Sequence, residues 1–207
     1  MKNYLVIITF LFALQNYAQS DVKKKFQKNR YDLAVSHYKK LEYTKAIDLF
    51  SVASKIDPES PIGIESRQKV DTLKTILRKE LVNHLQGTWR KTGNEPSWTT
   101  KEKSKISSSE KDELIVINDK QILFYEQNIK TKERKIVKSE NFVFYDKEDL
   151  NGVFSGIILS DKTIWTYNVD DTAKTLQMLC VGEETEEGTK KIIVDNPEIY
   201  CEKVVYP

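Results

Sequence analysis

Cysteine, histidine and glycine are all scarce in this chain: 207 residues hold two Cys, two His and seven Gly. Cys180 and Cys201 stand too far apart for a Cys-x-x-Cys pair, and no His-Glu-x-x-His or phosphate-cradling glycine loop occurs. Acid–base catalysis needs a positioned histidine or a carboxylate pair with separated pKa values. His37 and His84 both precede the β-rich part of the chain, far in sequence from any nucleophile candidate. The densest carboxylate run, Glu183, Glu184, Glu186 and Glu187, lacks the alternating oxygen ligands of a calcium loop and reads as a solvated hairpin loop before Gly188. No catalytic residue, metal-ligand set or cofactor is therefore expected, and neither is an enzyme.

An excess of one charge is missing as well. Lys and Arg number 33 against 31 Asp and Glu, a net charge of +2, which gives no support to nucleic-acid binding. The balance is uneven along the chain. Residues 19–85 carry 14 basic and nine acidic side chains, +5, and residues 86–207 carry 18 and 22, −4. Basic clusters such as Lys23, Lys24 and Lys25 read as solvated face.

Apolar runs are short. The longest, residues 4–14, follows Lys2 and precedes a polar stretch ending at Ala18, the three-part layout of a secretory signal peptide. It falls well short of the roughly 20 residues that cross a bilayer. A signal peptide over 1–18, cleaved after Ala18, is expected, leaving an exported, periplasmic or secreted protein with no permanent membrane span. Export exposes the two cysteines to oxidation. Pairing Met178 with Lys203 in antiparallel strands would set Cys180 opposite Cys201, close enough for a disulfide.

Residues 19–85 read as helical. Leu33, Ala34, His37, Tyr43, Ala46, Phe50, Ala53 and Pro58 follow Arg30 at spacings that resemble a tetratricopeptide repeat, most closely over residues 43–56. Ala46, Phe50 and Ala53 recur on one helical face, where small alanines let a second helix approach and Phe50 fills the space left. Asp57-Pro58 stops that helix. Ser60-Pro61 starts a third, as N-cap and first-turn proline, which runs to about Leu85. No second full repeat signature follows, and helical repeats need stacked neighbours to bury their faces. A docking or spacer element is the plainer expectation than a peptide-binding groove.

After Trp89 the period shortens. Residues 88–91, 114–118, 121–126, 134–138, 141–145, 153–160, 163–168, 175–181 and 199–204 are rich in β-branched and aromatic side chains, with Asn, Asp and Gly turn signals between them. About nine short strands with no helix between them imply an antiparallel meander. Gly87-Thr88-Trp89 at its head, with Ile164-Trp165-Thr166-Tyr167 and a terminal strand carrying Tyr200 and Lys203, resembles lipocalins and the lipocalin-like domains of Gram-negative envelope proteins. That resemblance implies a barrel over residues 86–207, with Trp89 plugging its closed end and Gly87 allowing close backbone approach.

The expectation is thus a segregated α+β chain: a tetratricopeptide-like hairpin and long third helix, then a lipocalin-like barrel of eight or nine strands. Functionally it implies an exported, non-catalytic binding protein that holds a small apolar ligand or peptide, oriented by the helices, in a pocket ringed by Trp98, Phe124 and Tyr145. The alternative is a structural component of a cell-envelope complex, with a filled barrel and a protein partner.

Overall fold

The computed structural model describes residues 2–93, 110–147 and 154–205, with side chains from residue 21 onward. Three helices come first: α1 (Lys2–Lys39), α2 (Tyr43–Ile56) and α3 (Pro61–Leu85). Nine strands follow: β1 (Gly87–Gly93), β2 (Lys111–Ile117), β3 (Gln121–Asn128), β4 (Arg134–Asn141), β5 (Ile157–Ile158), β6 (Thr163–Val169), β7 (Thr175–Thr185), β8 (Gly188–Lys191) and β9 (Glu198–Lys203). The chain divides into two compact units, Met1–Leu77 and Arg78–Pro207, so the division falls inside α3 rather than at its end. Among the described residues no helix is long and apolar enough to cross a membrane.

In the first unit α1 and α2 form a hairpin closed by a tight turn. The His37 carbonyl accepts from Lys40 N and Glu42 N, and Leu41 takes a left-handed φ of 61°. The helices meet over Ala34, Ala46, Phe50 and Ala53, all fully buried, with Tyr31 edge-on to Phe50 at 5.7 Å. Gln27 is buried among them, its Nε2 donating to the carbonyls of Ala53 and Asp57 at 2.9 Å. Those carbonyls lie at the end of α2, and that of Asp57 also accepts from Ser60 N and Oγ, at 3.2 and 2.8 Å. Ser60 caps α3, its Oγ accepting from Gly63 N at 3.0 Å. Gly63 is required there, because a Cβ would lie 2.1 Å from the Asp57 carbonyl oxygen.

The second unit opens with the last turns of α3. Leu85 is fully buried and Leu81 packs beside it on the sheet's apolar cluster. The nine strands form one antiparallel sheet in the order β4-β3-β2-β1-β9-β7-β6-β5, with β8 paired to β7. β9 therefore inserts between the first strand and the later meander. On β7 it shares one edge with β8: Thr175 to Leu179 pair with β9, and Gly182 to Thr185 pair with β8. The face carrying Trp89 gathers Ile115, Ile117, Ile122, Leu176 and Met178 into the main core.

The hydrogen-bonded path is open, with β4 and β5 at its ends. Among the described residues the segment after β4 meets β5 at one bridge, Phe144 to Ile157, supported by Tyr145 N to Gly156 O and Ile158 N to Val143 O. Two expected strands shrink accordingly. Residues 141–145 contribute a bridge rather than a strand, and 153–160 contribute two strand residues among those described. Sequence reading missed β8, which forms a two-residue hairpin with the end of β7 around Glu186-Glu187.

The cysteine pairing is corrected by the register. Met178 faces Ile199, not Lys203, so Cys201 opposes Leu176 while Cys180 pairs with Trp165 on β6. Both thiols are buried and free. The cause lies in the corner over residues 192–197. Asn196 Nδ2 donates to the carbonyls of Cys180 and Ile192, and Cys180 N donates to the Pro197 carbonyl. That corner occupies the edge beside Cys180, and β9 begins only after it.

Candidate functional site

Side chains alternate across a strand, so Trp89 and Lys91 share one face of β1, Glu113 and Ile115 one face of β2, and Phe124 and Glu126 one face of β3. The register joins these faces: Trp89 opposes Ile115, which opposes Phe124, which opposes Lys138. Along each strand the surface passes from apolar to charged within two residues. At the charged end lies a cavity of about 320 Å³, with Ile115, Phe124, Val137 and Ile199 among its apolar lining and Lys91, Glu113, Glu126 and Lys138 around it.

At the other end the same face is filled. Trp89 is fully buried and its Nε1 donates to the Leu85 carbonyl at 2.8 Å, satisfying one of the orphan acceptors at the end of α3. The Lys203 ammonium lies 5.2 Å from the Trp89 ring centroid, a cation–π contact. Gly87 has a φ of 143°, and a Cβ there would come within 3.1 Å of Lys203 Cε.

The charged groups at the cavity are held in different ways. Lys91 Nζ pairs with Glu113 Oε2 at 2.8 Å, and Glu126 pairs with Lys111 at 2.7 Å. Lys138 pairs with two carboxylates, Glu140 at 2.8 Å and Asp161 at 3.0 Å. Glu140 is only 5% exposed and is fixed further by Ser160, whose Oγ and N donate to it at 2.6 and 2.9 Å. Burial pushes the Glu140 carboxyl up, but the bonds from Lys138 and Ser160 outweigh it and hold the group below the usual carboxylate range. Asp161 is likewise held low: burial raises it, and Thr163 and Lys138 overcome that. Glu140 and Lys138 belong to the end of β4, Ser160 and Asp161 to the turn after β5. This cluster links the two ends of the strand path where the backbone supplies one bridge.

Tyr167 lies in the core below, 5% exposed, and among the described residues its hydroxyl has no hydrogen-bond partner. Burial, then the charges of Glu140 and Asp161, push its pKa up. Leaving such a group unsatisfied costs about 1–3 kcal/mol. Burial also pushes the Cys201 thiol up to about 12, with Lys91 lowering it and Glu113 raising it.

Phe124 lines the cavity. Tyr145 does not: it is buried with Ile164, its hydroxyl bonds Thr189, and it borders a separate groove of about 640 Å³ with Phe144 and Glu140. Trp98 lies outside the described residues. Ala46, Phe50 and Ala53 are buried in the first unit, and Pro58 follows α2 at an exposed turn. His37 pairs with Glu42 beside the α1–α2 turn. Sequence reading missed Lys91, Glu113, Lys138 and Glu140. They stand on strands already rich in polar residues, so the sequence carries little signal for them, and only the register shows which face they share.

Arg78, also unremarked in the sequence, anchors the segment after β4. Its Nε donates to the Phe154 carbonyl at 2.9 Å, its Nη2 pairs with Asp146 at 2.6 Å, and its guanidinium lies 4.6 Å from the Phe144 ring centroid. Among the described residues no group of three or more His, Cys, Asp or Glu is placed to hold a metal ion. Compared with protein-family models, curated proteins and solved structures, the chain gave no match.

Proposed function

We propose that this is an exported, non-catalytic binding protein whose sheet unit works as a lipocalin-like barrel and holds one small apolar molecule. The observation that carries the reading is the cavity of about 320 Å³ with an apolar surface and paired charges beside it. That volume sits at the low end of small-molecule sites, which run from about 300 to 1,000 Å³, and suits a compact ligand better than a peptide. The barrel reading draws support from the all-antiparallel order, the buried Trp89 beneath the cavity and the links between β4 and the β5–β6 turn. Export rests on the layout of residues 1–18. The helical unit is read as one tetratricopeptide-like hairpin with α3, supported by the buried Ala46, Phe50 and Ala53.

A second reading, an envelope-complex component with a filled barrel, draws on Ile136 and Val137, 54% and 60% exposed on the terminal strand β4. Native mass spectrometry of protein purified from its own cell envelope separates the two. A bound small molecule that is lost on mild organic extraction supports the first reading. A bare chain carried with a stoichiometric protein partner supports the second.

A further inference from the structure

We infer that the cavity selects amphiphiles with a single anionic head group, taken up by Lys91 as Glu113 swings away into water. This rests on the reading of the cavity as a small-molecule site and adds the chemistry of the occupant. Among the described residues four charged side chains border the cavity, and what matters is which of them can change partners at low cost.

Lys138 cannot. It holds Glu140 and Asp161 together, and drawing it away would leave a carboxylate that is 5% exposed without its counter-charge, a strongly unfavourable outcome. Glu126 would have to capture a cationic head between two lysines, Lys111 at 2.7 Å and Lys135 acting on it electrostatically, so one cation would remain to repel the newcomer. Among the described residues Lys91 pairs with Glu113 alone. Its side chain is 32% exposed while that of Glu113 is 63% exposed.

The exposed member of such a pair returns to water easily, since ion pairs of this kind contribute only about 0–1 kcal/mol. The less exposed ammonium stays at the cavity. Its place on the inner side is marked by Cys201, which faces Lys91 across the β1–β9 ladder and whose buried thiol feels both members of the pair. An anionic head on Lys91 leaves the net charge around the cavity as it was, and the apolar body then covers Phe124, Ile115 and Ile199.

Isothermal titration of the full mature chain with decanoate, decanol and decyltrimethylammonium tests this. Decanoate should bind tightest. Glu113→Gln removes the competitor and should tighten decanoate binding about 2- to 5-fold with decanol unchanged, while Lys91→Met should bring decanoate down to the decanol level. Circular dichroism on both variants verifies that each is folded. If decanol binds as tightly as decanoate, or if Glu113→Gln leaves decanoate unchanged, the head-group inference is overturned and the cavity reading stands. Tighter binding of the cationic probe overturns it as well. If none of the three probes binds, both fall together.

Discussion

The two ends of one sheet face, two residues apart on β1, are built to opposite purposes. Around Trp89 the large groups are enclosed: the indole N–H meets the last turn of α3, and Lys203 covers the ring. Around Lys91 the charges are paired but half exposed, and a cavity remains between them. On the proposed reading, the strands supply a fixed foundation and an exchangeable surface without any change of element. Alternation keeps both on the same face, and the step from apolar to charged residues separates them.

The largest expected effect belongs to the foundation. Trp89→Ala should cost about 3–5 kcal/mol in denaturant unfolding, through lost apolar transfer and the void left behind. A cost under about 1 kcal/mol would mean that the Trp89 end is not the foundation, and the contrast between the ends would be lost.

Next comes the polar cluster that ties β4 to the β5–β6 turn. Glu140→Ala should cost about 1.5–3 kcal/mol, because it removes charge-assisted bonds in a buried setting and leaves Ser160 without its acceptor. The pH dependence has a definite sign. Glu140 and Asp161 are both held below the usual carboxylate range in the folded chain. They therefore add stability that is fully present above the unfolded carboxyl pKa of about 4 and is lost as the pH falls through their folded values. Acid titration of stability should be shallower in Glu140→Gln than in the native chain. Equal slopes would show that Glu140 is not held low.

A smaller effect of opposite sign is expected at Tyr167. Removing its unpartnered hydroxyl in Tyr167→Phe should leave stability unchanged or raise it by up to about 1 kcal/mol, seen as an equal or higher Tm. A loss above about 1 kcal/mol would show that the hydroxyl has a partner in solution, and the core would then be wetter than the contrast between the two ends requires.

Much of this fold is legible in the amino-acid sequence itself. Local signals mark the helices well: α2 covers 43–56, as Ala46, Phe50, Ala53 and the stop at Pro58 imply, and α3 starts at the Ser60 cap and ends at Leu85. Strand existence is legible for the same reason, through β-branched and aromatic runs between turn residues. Pairing is not, because register is set by residues distant in sequence. The corner at 192–197 shifts β9 by four residues relative to the expected pairing and separates the cysteines. The cavity is a product of register too. Phe124 stands out in the sequence as an aromatic within an apolar strand run, but Lys91 and Glu113 acquire meaning only once β1 and β2 are laid side by side, and Tyr145 belongs to a different cluster. The division of the chain also falls earlier than Leu85, since Leu81 and Leu85 are part of the sheet's core rather than the helical unit's.

The claim that one end is foundation and the other a binding site is tested most directly by filling the cavity from β9. Ile199 borders it without being part of the fully buried core, so a larger ring there should occupy the space and leave the Trp89 end intact. Titration of decanoate into Ile199→Trp, alongside its thermal unfolding, should show binding abolished at a Tm within a few degrees of the native chain. Binding at native affinity by a stably folded Ile199→Trp would contradict the account.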